Sequence, residues 1–186
     1  MSTDIDIDFA DRDQVLKLIG HVPAMIRENN KERKHNTGVY FHNVPTNPFT
    51  DFATIDYKTA EDHGWFKIDL LNVGIYSEFS SNEEIDNLLN KQPQWELLEH
   101  REIIERLFHV HNHADIVLKM KPRSIEQLAA VLAIIRPGKR HLIDKTWDQI
   151  EQEVWTKTDA YSFKRSHAIG YAMAIVLQMN KMTYNF

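Results

Sequence analysis

The sequence predicts an α+β fold: a small mixed sheet with helices over residues 1–78, followed by an all-helical part over residues 79–186. Three observations carry this expectation. Residues 3–9 alternate strictly, with Ile5, Ile7 and Phe9 on one side and Asp4, Asp6 and Asp8 on the other, the period of a half-buried strand. β-Branched and aromatic runs bounded by turn residues recur up to Gly74. Beyond Gly74 the texture changes to apolar stripes at helical spacing, opened by capping residues.

Taken in order, Asp11 follows the first strand and caps a helix through Val15, Leu16, Leu18 and Ile19, which Pro23 breaks or restarts before Ile26. The polar run 29–38 ("NNKERKHNTG") reads as a loop, and 39–44 ("VYFHNV") as a strand ended by the turn residues of "NVPTNP". Residues 51–57 ("DFATIDY") and 65–71 ("WFKIDLL") read as two more strands. In the second part, Ser81 or Asn82 caps a helix over 83–91, and a further helix is expected over 95–108. Ser124 with Gln127 has the spacing of a capping box for the helix 125–135, which stops at Pro137-Gly138. Residues 142–155 and 166–182 complete the helical set.

Bulk properties narrow the function classes. The absence of cysteine excludes disulfides and thiolate metal sites, and a reducing cytoplasm is the expected setting. No apolar run approaches 18 residues, and the polar N-terminus does not have the pattern of a signal peptide. The net charge of −5 argues against a general nucleic-acid binder, yet it hides an asymmetry. Residues 119–186 hold 11 basic and 6 acidic residues, a balance of +5, which leaves 11 basic and 21 acidic residues, a balance of −10, in residues 1–118. Two solvated surfaces of opposite sign would give such a split, and so would a metal-binding acidic half beside an anion-binding basic half.

The acidic strand is the first candidate site. Positions i and i+2 of a strand project from one face about 7 Å apart, close enough to serve one metal pair. Magnesium takes oxygen ligands, commonly one or two carboxylates with phosphates and water. Two such ions roughly 3.5–4 Å apart activate a 3′-hydroxyl and stabilise a leaving pyrophosphate. Asp69, set in the apolar run "WFKIDLL", is a third carboxylate whose charge calls for a partner. Lys67 shares its face by strand periodicity. His109, His111 and His113 alternate as strand-spaced ligands do, but read as structural.

The segments that carry these residues resemble the alpha chain of bacterial DNA polymerase III, the C-family replicative polymerase. "DIDIDFADRDQV" is similar to that family's Asp-x-Asp-x-Asp-Phe strand with its following Arg-Asp. "KHNTGVYFHNVP" is similar to its Lys/Arg-His-Ala-Gly-Gly-Val-Val strand, and "FATIDYKTAEDHGWFKIDLLNVG" to the segment bearing the third catalytic acid. "KMKPRSIEQLAAVLAIIRPG" and "FKRSHAIGYAMAIVLQMNKM" resemble two fingers segments, and all five occur in the family's order. The resemblance implies a polymerase-beta-like nucleotidyltransferase palm over 1–78 and a fingers-like lobe over 79–186.

Carried over by position, the catalytic and metal-binding acids are Asp6, Asp8 and Asp69, holding two Mg²⁺ ions with Mn²⁺ as substitute. Lys67, Arg136, Lys164, Arg165, Ser166 and His167 fall at positions facing the incoming nucleotide. His35 matches a family histidine and reads as a surface residue. Lys139 replaces the second proline after the family's Arg-Pro-Gly. The family's Gly-Ser-rich phosphate-cradling motif and its thumb are not in this sequence. The expected activity is therefore template-directed nucleotidyl transfer on a DNA primer-template with a dNTP, completed by a second polymerase chain. Two other classes fit the same residues: a non-catalytic replication adaptor or DNA-binding relic, and a metal-dependent nuclease.

Overall fold

Alternation at the N-terminus does produce a strand. In the computed structural model, which describes residues 5–156 and 163–184, β1 (Ile5–Phe9) lies at one edge of a four-stranded mixed sheet, followed in order by β4 (Ile68–Asn72), β3 (Lys31–Tyr40) and β2 (Val22–Glu28). Asp4 lies outside the described residues. The protein is α+β, with this sheet confined to the first part of the chain and helices dominating the second. The chain divides into two compact units, Met1–Glu78 and Phe79–Phe186, and each is described separately.

In the first unit β1 runs parallel to β4 (Ile68–Asn72), with Asp6 paired to Asp69 and Asp8 to Leu71. The antiparallel hairpin of β2 (Val22–Glu28) and β3 (Lys31–Tyr40) joins β4 through β3, Gly38 lying opposite Asp69. Helix α1 (Arg12–Leu18) begins as expected, with the Asp11 carboxylate accepting from the Gln14 amide at 3.1 Å. It ends at Leu18, however, and Pro23 sits in a strand rather than in a continued helix.

The polar run 29–38 also departs from expectation. Asn29 and Asn30 have φ of 50° and 59° and form the two-residue connection between Glu28 and Lys31, the left-handed pair a type I′ hairpin turn requires. The following residues are strand although charged, because this half of β3 is exposed and needs no apolar face. Residues 51–57 make only isolated bridges, Thr46 with Ala53 and Met25 with Asp56, and then enter α2 (Tyr57–Asp62), capped by Asp56. The small core of this unit gathers Ala24, Met25, Tyr40, Val44, Ala53 and Ala60. At the sheet edge the apolar side of β1 is not the covered one: Ile5 and Ile7 are 38% and 39% exposed. The reason is that β1 has one neighbouring strand, while α1 beside it buries no residue.

The second unit is helical throughout its described residues. It comprises α3 (Asn82–Leu89), α4 (Arg101–Ile104), α5 (Ala114–Met120), α6 (Ile125–Ile134), α7 (Trp147–Glu153) and α8 (Arg165–Tyr184), joined partly by 3₁₀ turns. Its core is α6 packed on α8, and every α6 residue from Leu128 to Ile134 is buried. An element apolar on all sides has to be central. The helix expected over 95–108 is broken instead into the turn Trp95–Glu99 and α4, with His100 extended between them. Residues 109–113 are not a strand, since His111–His113 form a 3₁₀ turn and His109 has φ of 59°. Ser124 caps α6 by accepting from Gln127 N, but Gln127 reaches back to Arg123 N rather than Ser124 N. The full reciprocal box is at Thr146 and Gln149, at the start of α7. Among the described residues no helix is long and apolar enough to cross a membrane.

Lys139 has a structural explanation. Its side chain is buried, and Nζ donates to the carbonyls of Glu153 at 2.8 Å and Thr156 at 2.9 Å. It thus serves the Thr156 carbonyl and joins the Thr156 amide at that of Glu153, at the C-terminal end of α7, where a cation also complements the helix dipole. Asn180 does the same for α3, donating to the carbonyls of Leu88 and Lys91.

Candidate functional sites

The pairing of Asp6 with Asp69 places two carboxylates on one face of the sheet, because residues directly paired on neighbouring strands project to the same side. Asp8 shares that face by the two-residue period. The strands are about 4.8 Å apart, so three of the acids singled out in the sequence belong to a single surface of β1 and β4. Oδ1 of Asp6 is buried, and Asp69 as a whole is 6% exposed. Asp8 lies near Tyr76, whose hydroxyl pKa is pushed up by burial and further by the Asp8 charge.

Asp69 is the best-anchored of the three. Lys67 Nζ donates to Oδ2, and Thr37 Oγ1 donates to Oδ1 at 2.8 Å. Burial pushes the Asp69 pKa up, but the Lys67 and Thr37 hydrogen bonds, with the charge of Lys67, outweigh it and hold the pKa below the usual carboxylate value. His35 is not a surface residue: its side chain is 17% exposed, and Nδ1 stands 3.7 Å from Asp69 Oδ1. Nδ1 accepts from the amides of Gly38 at 2.9 Å and Thr37 at 3.3 Å, which assigns the ring proton to Nε2. The hydrogen bonds of Lys67 and Thr37 are accordingly the decisive contributions at Asp69. Tyr57 closes the group, edge-on to His35 at 5.2 Å and 5.4 Å from Lys67 Nζ.

Gly38 is required by this crowding. A Cβ there would stand 2.7 Å from Lys67 Cδ, 3.0 Å from His35 Nδ1 and 3.2 Å from Asp69 Oδ1. Gly38→Ala is expected to lower stability by about 1–2 kcal/mol through overpacking, measured as a decrease in the urea midpoint. Thr37, Gly38 and Tyr57 are participants that the sequence reading did not single out. The signal for two of them is the Thr-Gly pair at the end of a charged run whose polarity resembles a loop.

Do these residues fit a divalent metal? The donor set does, being three hard carboxylates on one sheet face. As the side chains stand, both oxygens of Asp69 are engaged by Lys67 and Thr37. Among the described residues, no group of three or more histidine, aspartate or glutamate side chains is arranged to hold an ion. A metal at Asp69 would have to take the place now held by the Lys67 ammonium.

The basic candidates lie in the second unit. Arg136 stacks its guanidinium on Phe163 at 5.0 Å, and Phe163 stacks on His167 at 5.9 Å with an interplanar angle of 12°. Both rings contact Tyr171, which in turn stacks on His109 at 4.4 Å. Arg136 and His167 therefore belong to one cluster. Lys164, Arg165 and Ser166 are exposed in or beside the first turn of α8, and Arg165 is turned over Trp155 at 5.9 Å.

Comparison of the chain with protein-family models, with curated proteins and with solved structures gives no match. The functional reading therefore rests on the residues and their arrangement.

Proposed function

We propose that the chain is a nucleotidyltransferase of the DNA polymerase III alpha type, reduced to palm-like and fingers-like parts. The observation that carries the proposal is the register of β1 against β4, which sets Asp6 directly across from Asp69 with Asp8 on the same face. Asp6, Asp8 and Asp69 would hold two Mg²⁺ ions, with Mn²⁺ as a substitute. The ions would supply activation of a primer 3′-hydroxyl and charge neutralisation at the leaving pyrophosphate. Lys67, relieved of Asp69, would meet a triphosphate oxygen. In the second unit Arg136, Lys164, Arg165, Ser166 and His167 would bind triphosphate charge, and positioning with charge stabilisation would supply most of the catalysis. The template would be primed DNA, and a second polymerase chain would supply the phosphate-cradling motif and thumb. The setting would be cytoplasmic replication in a bacterium, or in a bacterial host of a virus.

A second reading has an observation of its own. The Lys67–Asp69 pair already neutralises the third acid, as a non-catalytic replication adaptor would retain it. Calorimetric titration with Mn²⁺ separates the two. The catalytic reading expects saturable binding by the intact chain, reduced at least about tenfold in both Asp69→Asn and Asp6→Asn, since each removes a charged ligand. Absent binding, or binding indifferent to both substitutions, would leave the adaptor reading in place.

A further inference from the structure

The aromatic cluster of the second unit sits among cations that extend well beyond Arg136. His109 and His113 are half-buried beside it, and the charged groups acting on them are all basic: Arg136 and His111 on His109, and Arg140, Arg136 and His111 on His113. Burial first, then these neighbours, hold His109 at about 4, far below an ordinary imidazole. Arg136 Nε is buried and makes no hydrogen bond among the described residues. Arg140 Nε donates to the Ile135 carbonyl at 3.4 Å. Arg123, by comparison, meets both Glu96 and Glu99. A buried, unsatisfied guanidinium donor is costly, and Arg136 carries one beside a half-buried imidazole, with the exposed Arg140 acting on the same histidine group, so that this surface lacks its anion.

Backbone strain points to the same place. His109 holds φ at 59°, a left-handed conformation that disfavours a residue with a side chain. It does so with its ring stacked on Tyr171 and close to Arg136.

We propose that Arg136 and Arg140, with His109 and His113 as neighbouring donors, form a binding site for a free polyphosphate anion within the second unit. The inference deepens the function proposed above and rests on it to the extent that Arg136 is already assigned there to the triphosphate. It adds Arg140 and the two histidines, which no part of that reading uses. It also makes anion binding a property of this unit, independent of Asp6, Asp8 and Asp69. Planar guanidinium groups suit the ligand, since each can donate to two phosphate oxygens at once. A bound polyanion would also stabilise protonated His109, turning a neutral ring into a charged donor.

The test is calorimetric titration of the full chain with inorganic tripolyphosphate, in parallel with a single-stranded oligonucleotide. Saturable tripolyphosphate binding is expected, weakened about tenfold or more in Arg136→Gln and in Arg140→Gln, as loss of a charge-assisted contact implies. Circular dichroism of each variant confirms its fold. The exposed Arg140 keeps the test valid should Arg136→Gln not fold. Absent binding, binding unchanged in Arg140→Gln, or oligonucleotide binding without tripolyphosphate binding would each overturn the proposal. The same titration of Asp69→Asn separates the two readings. Retained tripolyphosphate binding with lost Mn²⁺ binding supports both. Retained tripolyphosphate binding with no Mn²⁺ site in the intact chain supports this inference and removes the catalytic one.

Discussion

Asp69→Asn lowers the stability of the folded chain by about 3 kcal/mol, measured as a decrease in the urea midpoint at unchanged slope. The side chains of Lys67 and Asp69 are 14% and 8% exposed, so the substitution leaves a desolvated ammonium facing a neutral amide. The expected rescue is specific. Lys67→Met in the same background removes the stranded charge and recovers most of the loss, because replacing both partners of a buried pair is far cheaper than removing one. A double variant no more stable than Asp69→Asn would show that the pair is not the source. The pH dependence follows from the lowered pKa of Asp69. Its ionised form is favoured by folding, so its contribution is full above the unfolded value of about 3.9 and is lost as pH falls through the lower folded value. The gap between the intact chain and Asp69→Asn should therefore close below about pH 4, on the acid side only.

Lys139→Met is the second large effect, at about 3 kcal/mol. Methionine fills the volume but gives nothing to the carbonyls of Glu153 and Thr156, which Nζ now serves from a side chain 1% exposed. Thermal unfolding followed by far-ultraviolet circular dichroism reads the loss. Lys145→Met, at an exposed position of the same segment, should change stability by less than about 0.5 kcal/mol. Equal effects at the two positions would refute the capping role.

Much of the first unit was legible because local signals and tertiary demands agree. Alternation gave β1, Asp11 gave the start of α1, and the apolar run around Asp69 gave β4. The β2–β3 hairpin was lost because its outer half obeys no burial pattern. Arg27 with Glu32 and Glu28 with Arg33 are cross-strand pairs in solvent, and such strands look like loops when only hydrophobicity is read. The Asn29-Asn30 pair was the available signal. His35, Thr37 and Gly38 all stand on β3, so their approach to Asp69 depends on a strand that hydrophobicity does not mark. In the second unit Arg136 and His167 fall in one aromatic cluster. Periodicity could not show that His109 joins them, because a left-handed residue between short turns leaves no pattern. Lys139 looked like a mere replacement for proline, and its long reach to α7 depends wholly on tertiary packing.

The parallel union of β1 with β4 also bears on the order of assembly. Ile5 meets Ile68 across 63 intervening steps of chain, whereas Glu28 and Lys31 are joined by two residues. Loop closure makes the distant pairing the slower event. The hairpin can zip early and present Gly38 and Val39 as a template for β4. Only after β1 docks on the far side of β4 does Asp6 arrive beside Asp69. A nascent or partly opened chain would thus carry the Lys67–Asp69 pair without its second acid, and the carboxylate surface would become complete only at the final step of folding.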